Sequence, residues 1–291
     1  MDRTGEIGRV IRRLAIVGVG LLGGSVAKAV RVGGLAREIV GVGRDARRLE
    51  PALRDGVLDR VTTDAEDGVR GADFIVLATP VLAIEGLLSG VWRSAPEEAV
   101  ITDVGSTKGG IVRAAERLTE QRRLAFVGSH PMAGSEQSGY GVARADLFRE
   151  RTVIVTPTDR TEPRATKAVT ELWEALGARV RVLDPGAHDR IVAAISHLPH
   201  AVAYALMDGT ARFEADALEF AARGFCDTTR IAASDPDVWT EIFVANREAV
   251  LGGLGRFRTA LDDLERAIAS GARGELRAIL ARARDARETL R

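Results

Sequence analysis

The sequence holds a single cysteine, Cys226, in 291 residues. One thiol excludes an internal disulfide and suits a cytoplasmic protein. Lysine is nearly absent as well. Lys28, Lys108 and Lys167 are the only ones, and arginine carries the remaining basic charge. Net charge is zero, from 41 basic and 41 acidic residues. Without a surplus of either sign, no global field draws the chain to nucleic acid or to an anionic membrane. No apolar stretch reads as long enough to span a bilayer. The opening MDRTGEIGRVIRR lacks the apolar core of a signal peptide. Internal repeats and low-complexity linkers are also missing. What remains is 46% hydrophobic and 28% charged, the balance of a soluble globular protein. The length suffices for two ordinary domains with separate cores.

The two parts differ in texture. Short apolar runs recur at 13–20, 38–43, 72–80, 99–106, 124–131, 152–157 and 178–185, with helical patterns such as 25–32 and 108–118 between them. Such β-branched runs, separated by helices, predict a parallel sheet covered on both faces. Beyond Pro185 the strand-like runs stop. Segments 189–210, 237–270 and 274–290 read as helices, the first apolar on most sides. The expectation is an α/β Rossmann-like dinucleotide-binding domain over residues 1–185, followed by an all-α domain over 186–291. The second is too thin to hide its own apolar surface, which predicts a homodimer through these helices.

The first strand runs into Gly18-Val19-Gly20-Leu21-Leu22-Gly23. Alone this spacing is weak in so glycine-rich a chain. Here a strand precedes it, a helix follows, and a second strand comes about twenty residues later, as a dinucleotide site requires. Gly18 serves the tight turn, Gly20 the approach to the pyrophosphate, and Gly23 the packing of helix on strand. At the end of the second strand, NAD sites place an acid for the ribose hydroxyls, whereas an arginine suits a 2′-phosphate. Gly43 stands there, then Arg44, with Arg47 and Arg48 close by and Asp45 two residues late. The reading leans to NADP over NAD; the plain alternative makes Arg44 a solvated turn residue.

Ligands of such sheets bind beyond the carboxyl ends of the strands. That rule gathers the glycine loop, Thr79-Pro80, Ser106 to Lys108, and His130 at one edge. Histidine titrates near neutrality, so His130 suits the acceptance of a hydroxyl proton during hydride transfer. Ser106 could bond the same hydroxyl or orient the ring. Lys108 reads either as an electrostatic aid or as a surface lysine at a helix start. His188, at the domain boundary, reads as a surface residue.

Five segments together resemble the prephenate/arogenate dehydrogenase family of tyrosine biosynthesis: GLLGGS (Gly20–Ser25), DVGSTK (Asp103–Lys108), GSHPMAGSEQSG (Gly128–Gly139), SHLPH (Ser196–His200) and DTTRIAASDPDVW (Asp227–Trp239). The resemblance covers nearly the whole chain. It implies a Rossmann-like domain, a dimerising helical domain, and oxidative decarboxylation of a cyclohexadienyl alcohol, prephenate or arogenate, with NAD(P). It makes His130 the proton acceptor, Ser106 its companion, and Arg230 the clamp on a substrate carboxylate. It sets His197 near the substrate, and Glu136, Asp227 and Trp239 at pocket positions. Bland readings stand beside these: Arg230 as a helix cap or partner of Asp227, His197 and Trp239 as core, His200 as structural. His197 and His200 have no cysteine or acid cluster to complete a metal site, so none is expected. Relatives often read GFRD where this chain has GFCD, with Cys226. Arg223, three residues earlier, is a substitute cation if its helix brings it round. No segment reads as a fused chorismate mutase or regulatory domain, so one activity is expected. Two alternatives are a β-hydroxyacid-type dehydrogenase and a non-catalytic dinucleotide sensor. The first usually relies on a lysine in its helical domain, and none follows Lys167.

Overall fold

The computed structural model describes residues 10–120, 125–134 and 137–290. The chain begins β1 (Ile11–Val17), α1 (Leu21–Val32), β2 (Ala36–Val42), α2 (Ala46–Arg54), β3 (Arg60–Thr62) and α3 (Ala65–Val69). It continues β4 (Phe74–Leu77), α4 (Val81–Ser94), β5 (Val100–Asp103), α5 (Gly109–Thr119) and β6 (Ala125–Pro131). Then come β7 (Thr152–Thr156), α6 (Pro163–Ala175) and β8 (Arg179–Val182). The eight strands form one sheet in the order β3-β2-β1-β4-β5-β6-β7-β8.

Side chains alternate across the strands. In β1, Leu14 and Ile16 join the core under α1 and α6, where Trp173 and Val26 are fully buried. Ala15 and Val17 join the opposite core under α4 and α5, with Ile84 and Ile111. Burial on both faces is why these strands read as continuous apolar runs. The direction of chain travel reverses between β1 and β4, which are hydrogen-bonded neighbours. A crevice at their carboxyl ends is therefore the expected ligand site of a doubly wound sheet.

Two features depart from the sequence reading. β3 is a three-residue strand, Arg-Val-Thr, too short and too polar to show as an apolar run. β7 lies antiparallel to β6, with Gly128 opposite Thr156 and Pro131 opposite Val153. Parallel neighbours need a crossover, usually a helix. Among the described residues between β6 and β7 there is only a short 3-10 turn, Tyr140–Val142. His130 keeps its expected edge, because β6 is still parallel to β5.

The helical region comprises α7 (Pro185–Val192), α8 (Leu198–Phe213), α9 (Arg223–Thr229), α10 (Pro236–Ala245), α11 (Arg247–Ala269) and α12 (Arg273–Glu288). A wider π turn, Ala193–His197, joins α7 to α8. Pro199 explains it: proline has no N–H to close the normal bond to residue 195, so the ladder widens there. Contrary to the sequence reading, the run Pro185–Phe213 is long and apolar enough to cross a membrane, at a mean hydropathy of 1.2. Only 22% of its apolar window is buried within the chain. Yet its His188 and His197 are buried and hydrogen-bonded to other elements. Ile195, Phe213, Leu251, Leu261 and Ile268 are likewise exposed on this region. So much uncovered apolar surface exceeds what scattered surface residues account for.

Candidate active site

The phosphate loop follows from its glycines. Gly18 has φ of 101°, and a Cβ there would lie 2.6 Å from the Ala78 carbonyl oxygen. A Cβ on Gly23 would meet the Gly18 oxygen at 2.0 Å, so α1 packs this closely only because Gly23 is bare. Gly20 faces open space. It precedes α1 with no side-chain cap, so the first amides remain available to an anion. Val19 is buried, while Leu21 and Leu22 are half-buried in the first turn. Beside this loop, Thr79 Oγ1 is buried and, among the described residues, lacks any hydrogen-bond partner. Pro80 is exposed and opens α4. A bare glycine cradle and an orphaned hydroxyl fit a dinucleotide.

Farther along the edge, Arg44 is exposed and Gly43 packs within reach of Leu49. The Asp45 carboxylate caps α2, accepting from Arg47 N at 3.0 Å and Arg47 Nε at 3.3 Å.

His130 sits at the end of β6, half-buried. Its Nδ1 lies 2.9 Å from His188 Nε2, and His188 Nδ1 lies 2.8 Å from Asp189 Oδ1. His188 is 0% exposed, which corrects its reading as a surface residue: α7 folds back over the end of β6. Asp189 also accepts from the Lys108 and Gly109 amides, each at 2.8 Å, at the start of α5. Burial pushes its carboxyl up, but the bonds from His188 and these amides outweigh that and hold it low. The His130 pKa is driven well below its ordinary value, first by burial and then by the charges of His188, Lys108 and His197. His130 is therefore neutral, as a proton acceptor must be.

Behind His130 lies a buried ion pair. Lys108 Nζ contacts Asp103 Oδ2, both side chains fully buried. Lys108 is thus no surface residue. It also donates to the Ser129 carbonyl at 2.8 Å. Asp103 accepts from the Gly105 amide at 2.8 Å and from the Ser129 amide at 3.2 Å. Gly128 makes this possible, since a Cβ there would crowd Thr156 and the Lys108 stem. Ser106 follows the Gly105 turn and is half-buried at the same edge.

The opposite wall comes from the helices. His197 is buried at the π turn, and its Nδ1 lies 3.1 Å from Asn246 Nδ2. That nitrogen also donates to the Asp189 carbonyl at 2.8 Å, so it must be the amide NH2. His197 Nδ1 is then an acceptor, and its proton sits on Nε2. Burial lowers the His197 pKa to about 4, leaving the ring neutral. Trp239 is buried, with the His200 ring stacked on it at 3.5 Å and the His197 ring edge-on at 5.9 Å. The His200 pKa is lowered, first by burial and also by the charge of Arg230. His200 thus has a structural contact, and Arg230 belongs to its neighbourhood.

All four histidines of the sequence therefore form one chain of neighbours from β6 to α8. Arg230 itself is exposed at the end of α9. Asp227 is exposed and paired with Arg223 Nε at 3.3 Å, one helical turn away. Arg223 is thereby engaged on the surface of α9, where Cys226 is also exposed. Glu136 lies outside the described residues. No metal-binding group of His, Cys, Asp and Glu occurs among the described residues. Asp103, Asp189 and Asn246 had no role in the sequence reading, His188 was read as a surface residue, and of the two readings of Lys108 the surface one is excluded by its burial. A usable signal was the adjacent His188-Asp189 pair in the helix that follows the last strand.

Residues 26–182 match the model of the prephenate dehydrogenase nucleotide-binding domain. Residues 184–282 match that of the prephenate dehydrogenase dimerization domain. The cyclohexadienyl dehydrogenase of Zymomonas mobilis is 33% identical, over 90% of this chain and 90% of its own. The prephenate dehydrogenase of Aquifex aeolicus, solved with hydroxyphenyl propionate and NAD+, superposes with a TM-score of 0.90. It is 35% identical, over 97% of this chain and 99% of its own. Synechocystis arogenate dehydrogenase is 31% identical, with a TM-score of 0.83, over 95% of this chain and 99% of its own. With matches in both domains and along almost its whole length, the chain belongs to the prephenate/arogenate dehydrogenase family.

Proposed function

We propose that this protein catalyses oxidative decarboxylation of prephenate and/or arogenate, with hydride transfer to a nicotinamide dinucleotide, and that it acts as a homodimer through its helical domain. One observation carries this reading: a neutral histidine, His130, stands at the sheet edge that also bears the bare glycine loop. Gly18 to Gly23 would hold the pyrophosphate, with Thr79 and Pro80 beside it. When bound, the dinucleotide supplies the hydride acceptor. His130 takes the proton of the ring hydroxyl as a carbonyl forms. Ser106 lies at the same edge to bond that hydroxyl. His197, with its proton on Nε2, offers a donor to the substrate. Loss of the ring carboxylate as carbon dioxide makes the ring aromatic, so the chain's task is to orient the substrate and accept a proton. Trp239 supports the two helical-domain histidines, and Asp227 holds Arg223 on α9. The exposed apolar face of α8 and α11 supports dimerisation, in the region that matches a dimerization domain. Absorbance of the reduced nicotinamide tests the reading, with prephenate and arogenate each combined with NAD and NADP. Turnover is expected with at least one pair; none with any pair would refute it.

The cofactor is read as NADP. Asp45, the one acid near the end of β2, is engaged as a helix cap, while Arg44 is exposed beside Gly43. A guanidinium–phosphate contact is worth about 1.5–3 kcal/mol. Arg44→Ala should therefore reduce the NADP-over-NAD ratio of kcat/KM by about 10- to 100-fold. An unchanged ratio would show that Arg44 does not read the 2′-phosphate.

Arg230 is assigned the substrate carboxylate, which its planar fork fits. The influence of its charge on His200, which is stacked on Trp239 near His197, supports this assignment. Arg230→Ala should raise the substrate KM by about 10- to 100-fold, the worth of one charge-assisted hydrogen bond, with cofactor KM unchanged. A normal substrate KM would move the clamp elsewhere.

A further inference from the structure

We propose that His188 is a positioning residue of the reaction, fixing His130 in the tautomer whose Nε2 is free to accept a proton. This rests on the reading of His130 as the proton acceptor. The Asp189 carboxylate can only accept. It is held ionised by two backbone amides at the start of α5, each at 2.8 Å. His188 Nδ1, 2.8 Å away, must then carry a hydrogen. We assign His188 the neutral form, in which Nε2 is an acceptor. His130 Nδ1, at 2.9 Å from it, must be the donor. The His130 Nε2 is thereby left with its lone pair. The two rings meet edge-on, with centroids 5.1 Å apart and planes at 68°. That geometry directs the His188 nitrogen along the His130 ring edge.

The arrangement also fixes position across the domain boundary. His130 ends β6, Asp189 lies on α7, and the two amides belong to the start of α5. α5 and α7 meet on one carboxylate and β6 is tied to it through His188, so the His130 ring is held from the side of α7. His188 is wholly buried and contacts no reacting group itself; its effect passes through His130. In a triad hydrolase, an orienting partner that imposes the wrong tautomer costs about 10⁴-fold in kcat.

Histidine-selective 15N labelling tests this, since the chain holds only four histidines to assign. In the ligand-free full chain at neutral pH, His130 is expected as the Nδ1–H tautomer. Two variants complete the test. In His188→Gln the amide oxygen occupies the place of Nε2 and still accepts from His130 Nδ1. This variant should keep the tautomer and lose less than about tenfold in kcat. His188→Leu fills the space without an acceptor. It should show mixed His130 tautomers and lose at least about 100-fold in kcat, with both KM values unchanged. A wild-type His130 found as Nε2–H, or protonated on both nitrogens, would overturn the proposal. So would a leucine variant with normal kcat, or a glutamine variant no better than the leucine one. If leucine prevents folding, the wild-type spectrum and the glutamine variant still decide. The tautomer is read without substrate, so absence of dehydrogenase activity would sink the proposed function and leave this measurement standing.

Discussion

His130→Asn is expected to lower kcat about a thousandfold, the middle of the range that general-base catalysis contributes. Dinucleotide affinity should stay normal, because the glycine loop that would hold the cofactor lies on other strands. The asparagine side chain keeps some hydrogen-bonding capacity towards His188 but cannot take up a proton near neutral pH. The wild-type pH profile adds a second readout. Burial, then the charges of His188, Lys108 and His197, hold the His130 pKa well below 6.5. The base is inactive only when protonated, so the acid limb of kcat/KM should fall below pH 6.5, with activity level above it. In the asparagine variant that limb should vanish from the residual rate. Near-normal turnover in this variant, or an acid limb above the ordinary histidine range, would remove His130 from the mechanism.

Much of this site could be read from the sequence because it is local. Gly18 to Gly23 follow a strand and open a helix, and each glycine's role depends on neighbours a few residues away. The edge position of His130 followed from strand order alone. It survived the reversal of β7, since only the β5–β6 pairing fixes it. The reversal itself left a trace in the sequence: no helical pattern separates the two runs, and parallel neighbours need a crossover.

The partners of His130 were not legible. His188 is 58 residues away in sequence, and its burial depends on α7 packing against the end of β6. The adjacent His188-Asp189 pair hints at a joined histidine and carboxylate, but nothing in the string says that His130 is what they meet. Asn246 lies farther still, and its two bonds exist only once α11 meets the π turn. The π turn could have been suspected from Pro199, but which side chain it would turn inward could not. Arg44 and Arg230 lie between these extremes. Their chemistry suits a phosphate and a carboxylate, but arginine is the common basic residue of this chain, so residue type alone did not single out these two.

Lys108→Met is expected to destabilise the fold by about 3–5 kcal/mol at neutral pH, the usual cost of removing one partner of a buried ion pair. Methionine fills the space of the lysine stem, so packing loss is small and the charge dominates. Asp103 would remain fully buried with two backbone amides as its hydrogen-bond donors. Burial already pushes its carboxyl up, and the Lys108 charge is the main force opposing that rise. Without Lys108 the pKa of Asp103 climbs further in the folded state, while the unfolded value stays ordinary. A folded-state pKa above the unfolded one gives stability that is present at low pH and lost as pH rises through the folded value. The penalty should therefore be small in acid and grow toward alkaline pH, the opposite of ordinary acid denaturation. Urea unfolding of wild type and variant across that range measures it. A penalty that is flat with pH would mean the pair is not ionised in the native protein, and that Lys108 acts only by holding the Ser129 carbonyl. In either case the loss should reach the active site. Ser129 immediately precedes His130, and Lys108 Nζ is one of the groups that anchors its backbone.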